Sequence, residues 1–192
     1  MPSPEGDHIM DAAFIYRAAN ELVKNAGTRN IKEIARSCSL DISETSRIKD
    51  MLGLLSFYFD KPLILINRQL DKRTKQMVCG YALGHCLERQ MLTDPHSFKK
   101  FLTIKDKHIF LYEQNAFTSH LMLDGEEVYQ MTKHKMDAAQ IATAKRIHIN
   151  LVLVKLLELH HLGYDLRHYH AQHHAFIEQL NLPEYFRFDA AG

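Results

Sequence analysis

QMVCGYALGHCLER, residues 76–89, decides how this chain is read. Met77, Val78, Tyr81, Ala82 and His85 recur at helical spacing, and the run has the frame of an H-E-x-x-H metal-binding helix. In such a helix two histidines at i and i+4 share a face and hold zinc, while the glutamate between them activates the bound water. Here those three positions carry Tyr81, Ala82 and His85. The frame is present and most of its chemistry is gone.

Upstream of this helix the pattern is β. Leu54, Leu55, Ser56, Phe57, Tyr58 and Phe59 form one aliphatic and aromatic run, residues 62–67 form another, and the Asp60-Lys61 link is short enough for a hairpin. Pro62 fits the start or edge of its strand. Before the hairpin, residues 9–26 place Ile15, Ala19 and Leu22 on one helical face, with Gly27 suited to the C-terminal cap. Asn30 can cap a short second helix carrying Ile31, Ile34 and Ala35. The polar stretch 39–50 has too little periodicity to assign.

Downstream, the helix of 71–89 stops before Asp94-Pro95, and 97–104 has room for a third, irregular strand. Helices are then expected over about 106–123, 126–132, 138–145 and 150–161. Without repeats or low-complexity linkers, the chain reads as a single domain over 1–192, with a core over 30–123, a helix-turn-helix-like segment over 124–166 and a histidine-rich tail over 167–192.

Bulk properties exclude several classes. With 24 basic against 23 acidic residues the formal charge is +1, so no global field attracts nucleic acid. No apolar run approaches the roughly 20 residues that span a bilayer. The three cysteines, Cys38, Cys79 and Cys86, give neither an even disulfide framework nor a C-x-x-C pair, and no apolar leader is evident. A reducing cytoplasm is the simplest expectation.

Three stretches in order, LLSFYFDKPLILIN (54–67), MVCGYALGHCLER (77–89) and YEQNAFTSHLML (112–123), resemble motifs of the ImmA/IrrE-type zinc metallopeptidases of bacteria, phages and mobile elements. The similarity runs from about residue 30 to 166. The hairpin of that family ends in an asparagine before an A-H-E-L-G-H helix, and the next helix usually reads E-x-x-A-N-x-F-A-x-x-L-L. The resemblance implies an α+β, mostly helical, zincin-like fold with a small antiparallel sheet and a helical C-terminal half.

Carried over by position, the resemblance puts the first histidine ligand on Tyr81, the catalytic glutamate on Ala82 and the second histidine on His85. Aligning Asn115 and Phe117 with the family's asparagine and phenylalanine puts the third, carboxylate ligand on Leu111. Glu113 is no substitute, because two residues along a helix is about 200° of rotation. A single imidazole cannot hold a hydrolytic zinc, which takes three protein ligands. The chain therefore reads as a degenerate, catalytically inactive pseudo-peptidase without a zinc cofactor. His85 reads as a histidine satisfied by Tyr81 four residues earlier, and Cys79 and Cys86 as packing residues.

Three further features carry plain readings. In the tail, His170 and His174 would share a helical face and are the weak alternative metal pair, set against a polar surface segment. Residues 138–161 have helix-turn-helix spacing, but the second helix offers only Lys155 as a cation in its body, which argues against DNA recognition. Arg68, Lys72, Arg73 and Lys75 form a local basic cluster before the run 76–89, read as a solvated face rather than a phosphate site.

What the scaffold retains is an architecture for holding peptide. The run from Leu54 to Phe59 is the expected peptide-binding edge, by backbone pairing of the β-augmentation kind. The expected function is stoichiometric binding of a protein partner, as an anti-repressor or adaptor towards a transcriptional regulator of helix-turn-helix repressor type. Two other classes stay open: a metallopeptidase cleaving a repressor through an atypical metal site, and a DNA-binding regulator using the C-terminal helices. Sequence leaves the oligomeric state open.

Overall fold

A computed structural model describes residues 12–58, 61–88, 102–104 and 112–166. The described elements run α1 (Ala12–Ala26), α2 (Ile31–Ser37), β1 (Asp41–Thr45), β2 (Gly53–Tyr58), β3 (Lys61–Asn67), α3 (Lys72–Glu88), β4 (Leu102–Ile104), α4 (Tyr112–Met122), α5 (Gly125–Lys133), α6 (Ala138–Lys145) and α7 (Ile149–His161). This is a mixed α+β fold, mostly helical, with a helical C-terminal half.

The alternating hydrophobics of β2 and β3 make the hairpin, with Tyr58 opposite Lys61 and Gly53 opposite Ile66. Along β3, Pro62, Ile64 and Ile66 are buried, as a strand with one face on a core requires. The sheet has the order β1-β3-β2-β4 and is mixed rather than antiparallel, because β1 lies parallel to β3 with Asp41 opposite Leu63. This corrects the expected all-antiparallel sheet. β1, DISET, hides from a periodicity reading because an outer strand buries none of its residues fully. Pro62 is tolerated in an inner strand because pairing with β1 begins only at Leu63.

β4 corrects a second expectation. It pairs with β2 through Leu102–Leu55, Thr103–Leu54 and Ile104–Gly53, so Leu54 and Leu55 lie inside the sheet. Leu54 and Leu55 therefore offer no free edge, and the outer described strands are β1 and β4. Phe59 lies outside the described residues.

α3 packs against β3 and against α4. From Met77 to Gly84 every residue is buried, so this helix has no solvent face over two turns. Two glycines set the spacing to α4. A Cβ at Gly80 would stand 2.2 Å from Thr118 Cγ2, and one at Gly84 would stand 3.2 Å from Phe117 Cδ1. α4 packs in turn on α1 and α7, and α7 is buried at every position from Leu151 to Leu159. The two buried helices α4 and α7 thus form the spine of the helical half.

The loops are tied by capping side chains. Asn30 accepts from Lys32 N, as its sequence position implies, and Asp137 and Gln140 form a reciprocal capping box on α6. Asn67, 5% exposed, donates through Nδ2 to the carbonyls of Ile48 at 3.0 Å and Met51 at 3.1 Å. Its Oδ1 accepts from Gln69 N at 3.0 Å. One amide thereby fixes the β1–β2 loop against the turn entering α3.

Candidate functional site

Tyr81, Ala82 and His85 lie on one stretch of α3, as their spacing requires. Ala82 is fully buried, Tyr81 is 3% exposed and His85 is half-buried. His85 Nε2 and Tyr81 Oη are 2.8 Å apart, and the two rings meet edge to face with centroids at 4.8 Å. A phenol hydroxyl thus occupies hydrogen-bonding distance of the imidazole nitrogen. Ala82 contributes a methyl group where the motif would carry a carboxylate. Leu111 lies outside the described residues.

These residues do not fit a zinc ion. Zinc in a hydrolytic site is held by three protein donors at about 2.0–2.3 Å, and here one imidazole faces a phenol and a methyl group. Among the described residues no group of three or more His, Cys, Asp or Glu side chains is placed to hold a metal. Cys79 and Cys86 are buried in the same helix, and burial pushes both thiols up to about 12, so they stay protonated and inert. His170 and His174 lie outside the described residues.

A second constellation went unread in the sequence. On α4 and α7, His120, Lys155 and Glu158 are 0%, 1% and 2% exposed, and they form a continuous hydrogen-bonded chain. Lys155 Nζ donates to His120 Nδ1 at 2.8 Å, His120 Nε2 donates to Glu158 Oε2 at 2.8 Å, and the Tyr112 hydroxyl donates to Glu158 Oε1. With Lys155 as donor, Nδ1 must be the bare nitrogen, so His120 is neutral and protonated at Nε2. Burial lowers the His120 pKa, and it brings Lys155 down to about 7.

The surrounding elements converge on this chain. Arg29, in the loop after α1, donates to the His120 carbonyl at 2.7 Å and pairs with Asp124 at 2.9 Å, and Tyr16 from α1 meets the His120 ring edge to face at 5.1 Å. The signal was available in NLVLVKLLELHH: a lysine and a glutamate three apart in a helix otherwise apolar on every side need buried partners. With all its groups buried, the chain locks α4 to α7 and offers a substrate no access.

The helix-turn-helix reading meets the same burial. A recognition helix must present its face to the groove, whereas α7 is buried at every position from Leu151 to Leu159. Lys145 is held by both carboxylate oxygens of Glu127 at 2.7 Å, and Arg146 closes α6 in the left-handed region with φ +55°. The exposed face of α6, with Ala139, Gln140, Thr143 and Ala144, carries no charge.

The described fold and site define a small α+β protein whose helices pack around a buried ionic chain. Among curated proteins it is similar to "Uncharacterized immunity region protein 2" of Bacillus phage phi105, at 23% identity over 142 residues, covering 74% of this chain and 89% of that protein. No protein-family profile matches the chain. No solved structure matches it. No described helix is long and apolar enough to cross a membrane.

Proposed function

We propose that this protein is a catalytically inactive relative of the ImmA/IrrE-type peptidases that acts by binding a protein partner, as an anti-repressor or adaptor towards a transcriptional regulator. The observation that carries the reading is the Tyr81–His85 contact beside buried Ala82: a phenol and a methyl group stand where the motif has a histidine ligand and the catalytic carboxylate, and His85 alone is kept. The similarity to a phage immunity-region protein supports a setting in phage or mobile-element regulation. The partner of this reading is a helix-turn-helix repressor, held without cleavage. Burial of α7 speaks against the chain reading DNA itself.

The test combines metal analysis with affinity capture. Protein purified without a tag is expected to carry no stoichiometric zinc, to keep the same metal content after His85→Ala, and to capture an intact regulator from its native host. Stoichiometric zinc lost on His85→Ala, or partner cleavage blocked by a chelator, refutes the reading.

A further inference from the structure

Carboxylates and cations are unevenly matched on this surface. Glu44 holds Lys32 and Lys75, Asp124 holds Arg29, and Glu127 holds Lys145. Arg47, Lys49, Arg68, Lys72 and Arg73 are exposed, and none of them enters an ion pair among the described residues. These five cations come from two loops and a helix start, and the fold gathers them at one end of the sheet.

Asn67 does the gathering. By donating to the Ile48 and Met51 carbonyls it holds the loop that carries Arg47 and Lys49 against the turn that carries Arg68. Arg68 N donates to the Thr45 carbonyl at 2.9 Å, and Arg47 N donates to Thr45 Oγ1 at 3.2 Å, so both arginines leave from the end of β1. Lys72 and Arg73 open α3 a turn later. Among the described residues two carboxylates share the corner. Asp50 is exposed beside Lys49, while Asp71 is committed to the cap of α3, accepting from Arg73 N at 2.8 Å and from Thr74. Five cations against two carboxylates leave a positive excess of three among the described residues of this corner, on a chain whose formal total is +1.

We propose that this basic corner is the surface on which an acidic polypeptide segment of the partner docks. The inference rests on the protein-binding reading above and gives that partner a chemistry. Three of the five cations are arginines, whose planar guanidinium takes a carboxylate through two parallel hydrogen bonds. Nucleic acid fits less well: a sequence pI of about 7.8 is far from the basic range of such domains, and the enclosed α7 provides no groove-reading element. The corner steers and orients an acidic segment, an effect that weakens as salt screens it.

The experiment uses the full chain and a short fluorescein-labelled peptide of aspartate and glutamate, read by anisotropy at low and physiological salt. A DNA duplex carrying the same number of charges as the peptide serves as competitor. The charge reversal Arg68→Glu with Arg73→Glu changes two exposed side chains, and circular dichroism checks that the variant stays folded. Binding is expected to fall by at least about tenfold in the variant, with the duplex competing more weakly than unlabelled peptide. Equal binding by variant and wild type overturns the proposal, and so does a duplex that outcompetes the peptide. Because the probe is synthetic, a failure here leaves capture of an intact regulator as a separate result.

Discussion

Replacing Lys155 with methionine tests the buried chain through its protons. In the unfolded chain this lysine ionises near 10.5, and in the folded protein burial brings it down to about 7. Each pH unit between those values corresponds to about 1.4 kcal/mol, so keeping the folded ammonium protonated costs on the order of 5 kcal/mol. Between the two values the unfolded chain holds a proton that the folded protein has released, so stability rises with pH. Cys79 and Cys86 act oppositely above about 9, where the unfolded thiols ionise and the folded ones, at about 12, do not. The clean window therefore runs from about pH 7 to 8.5, and the lysine contributes a rise on the order of 1–2 kcal/mol across it. The chain has no tryptophan, so urea unfolding is best followed by far-ultraviolet circular dichroism. Lys155→Met keeps a long apolar stem in the same space and removes the titrating group. The rise is expected in the wild type and absent in the variant. An equal rise in both, or none in the wild type, refutes the argument that Lys155 is desolvated and proton-linked. His120 pushes the same way at lower pH: burial lowers its pKa, so below the ordinary histidine range stability falls as the unfolded chain takes up a proton that the folded ring refuses.

Three further outcomes are expected. Gly80→Ala should destabilise the protein by about 1–3 kcal/mol, because its Cβ would sit 2.2 Å from Thr118 Cγ2; adding Thr118→Ser, which removes that methyl, should restore part of the loss in thermal unfolding. Asn67→Ala should cost about 2 kcal/mol and raise amide exchange across residues 46–52, since two carbonyls lose their donor; unchanged exchange there would argue against the clamp. A thiol reagent should modify half-buried Cys38 first, with Cys79 and Cys86 reacting only on unfolding, as peptide mapping after short exposure will register.

Much of this architecture was legible because it follows periodicity. The hairpin, the helix of 71–89 and the Asn30 cap each depend on local pattern, and the structure places β2, β3, α3 and the cap of α2 there. β1 was not legible: a parallel outer strand is specified by its neighbour β3 rather than by its own alternation. For the same reason Leu54 and Leu55 read as an edge, since β4 is only three residues long and its pairing is decided at long range. At the candidate site, the Tyr81–His85 neighbourhood follows from i,i+4 spacing alone. The His120–Lys155–Glu158 chain does not, because its members lie on two helices 35 or more residues apart in sequence.

The interdependence of donors and acceptors in that chain also bears on how the sequence can drift. Removing Lys155 strips His120 Nδ1 of its donor, while removing Glu158 takes away the acceptor to which buried His120 Nε2 donates. Single replacements are therefore penalised far more than joint ones, and α4 and α7 should change at these positions together. Paired substitution at 120, 155 and 158 is accordingly a marker by which distant relatives can be aligned when overall identity, as with the phage protein, has fallen to 23%.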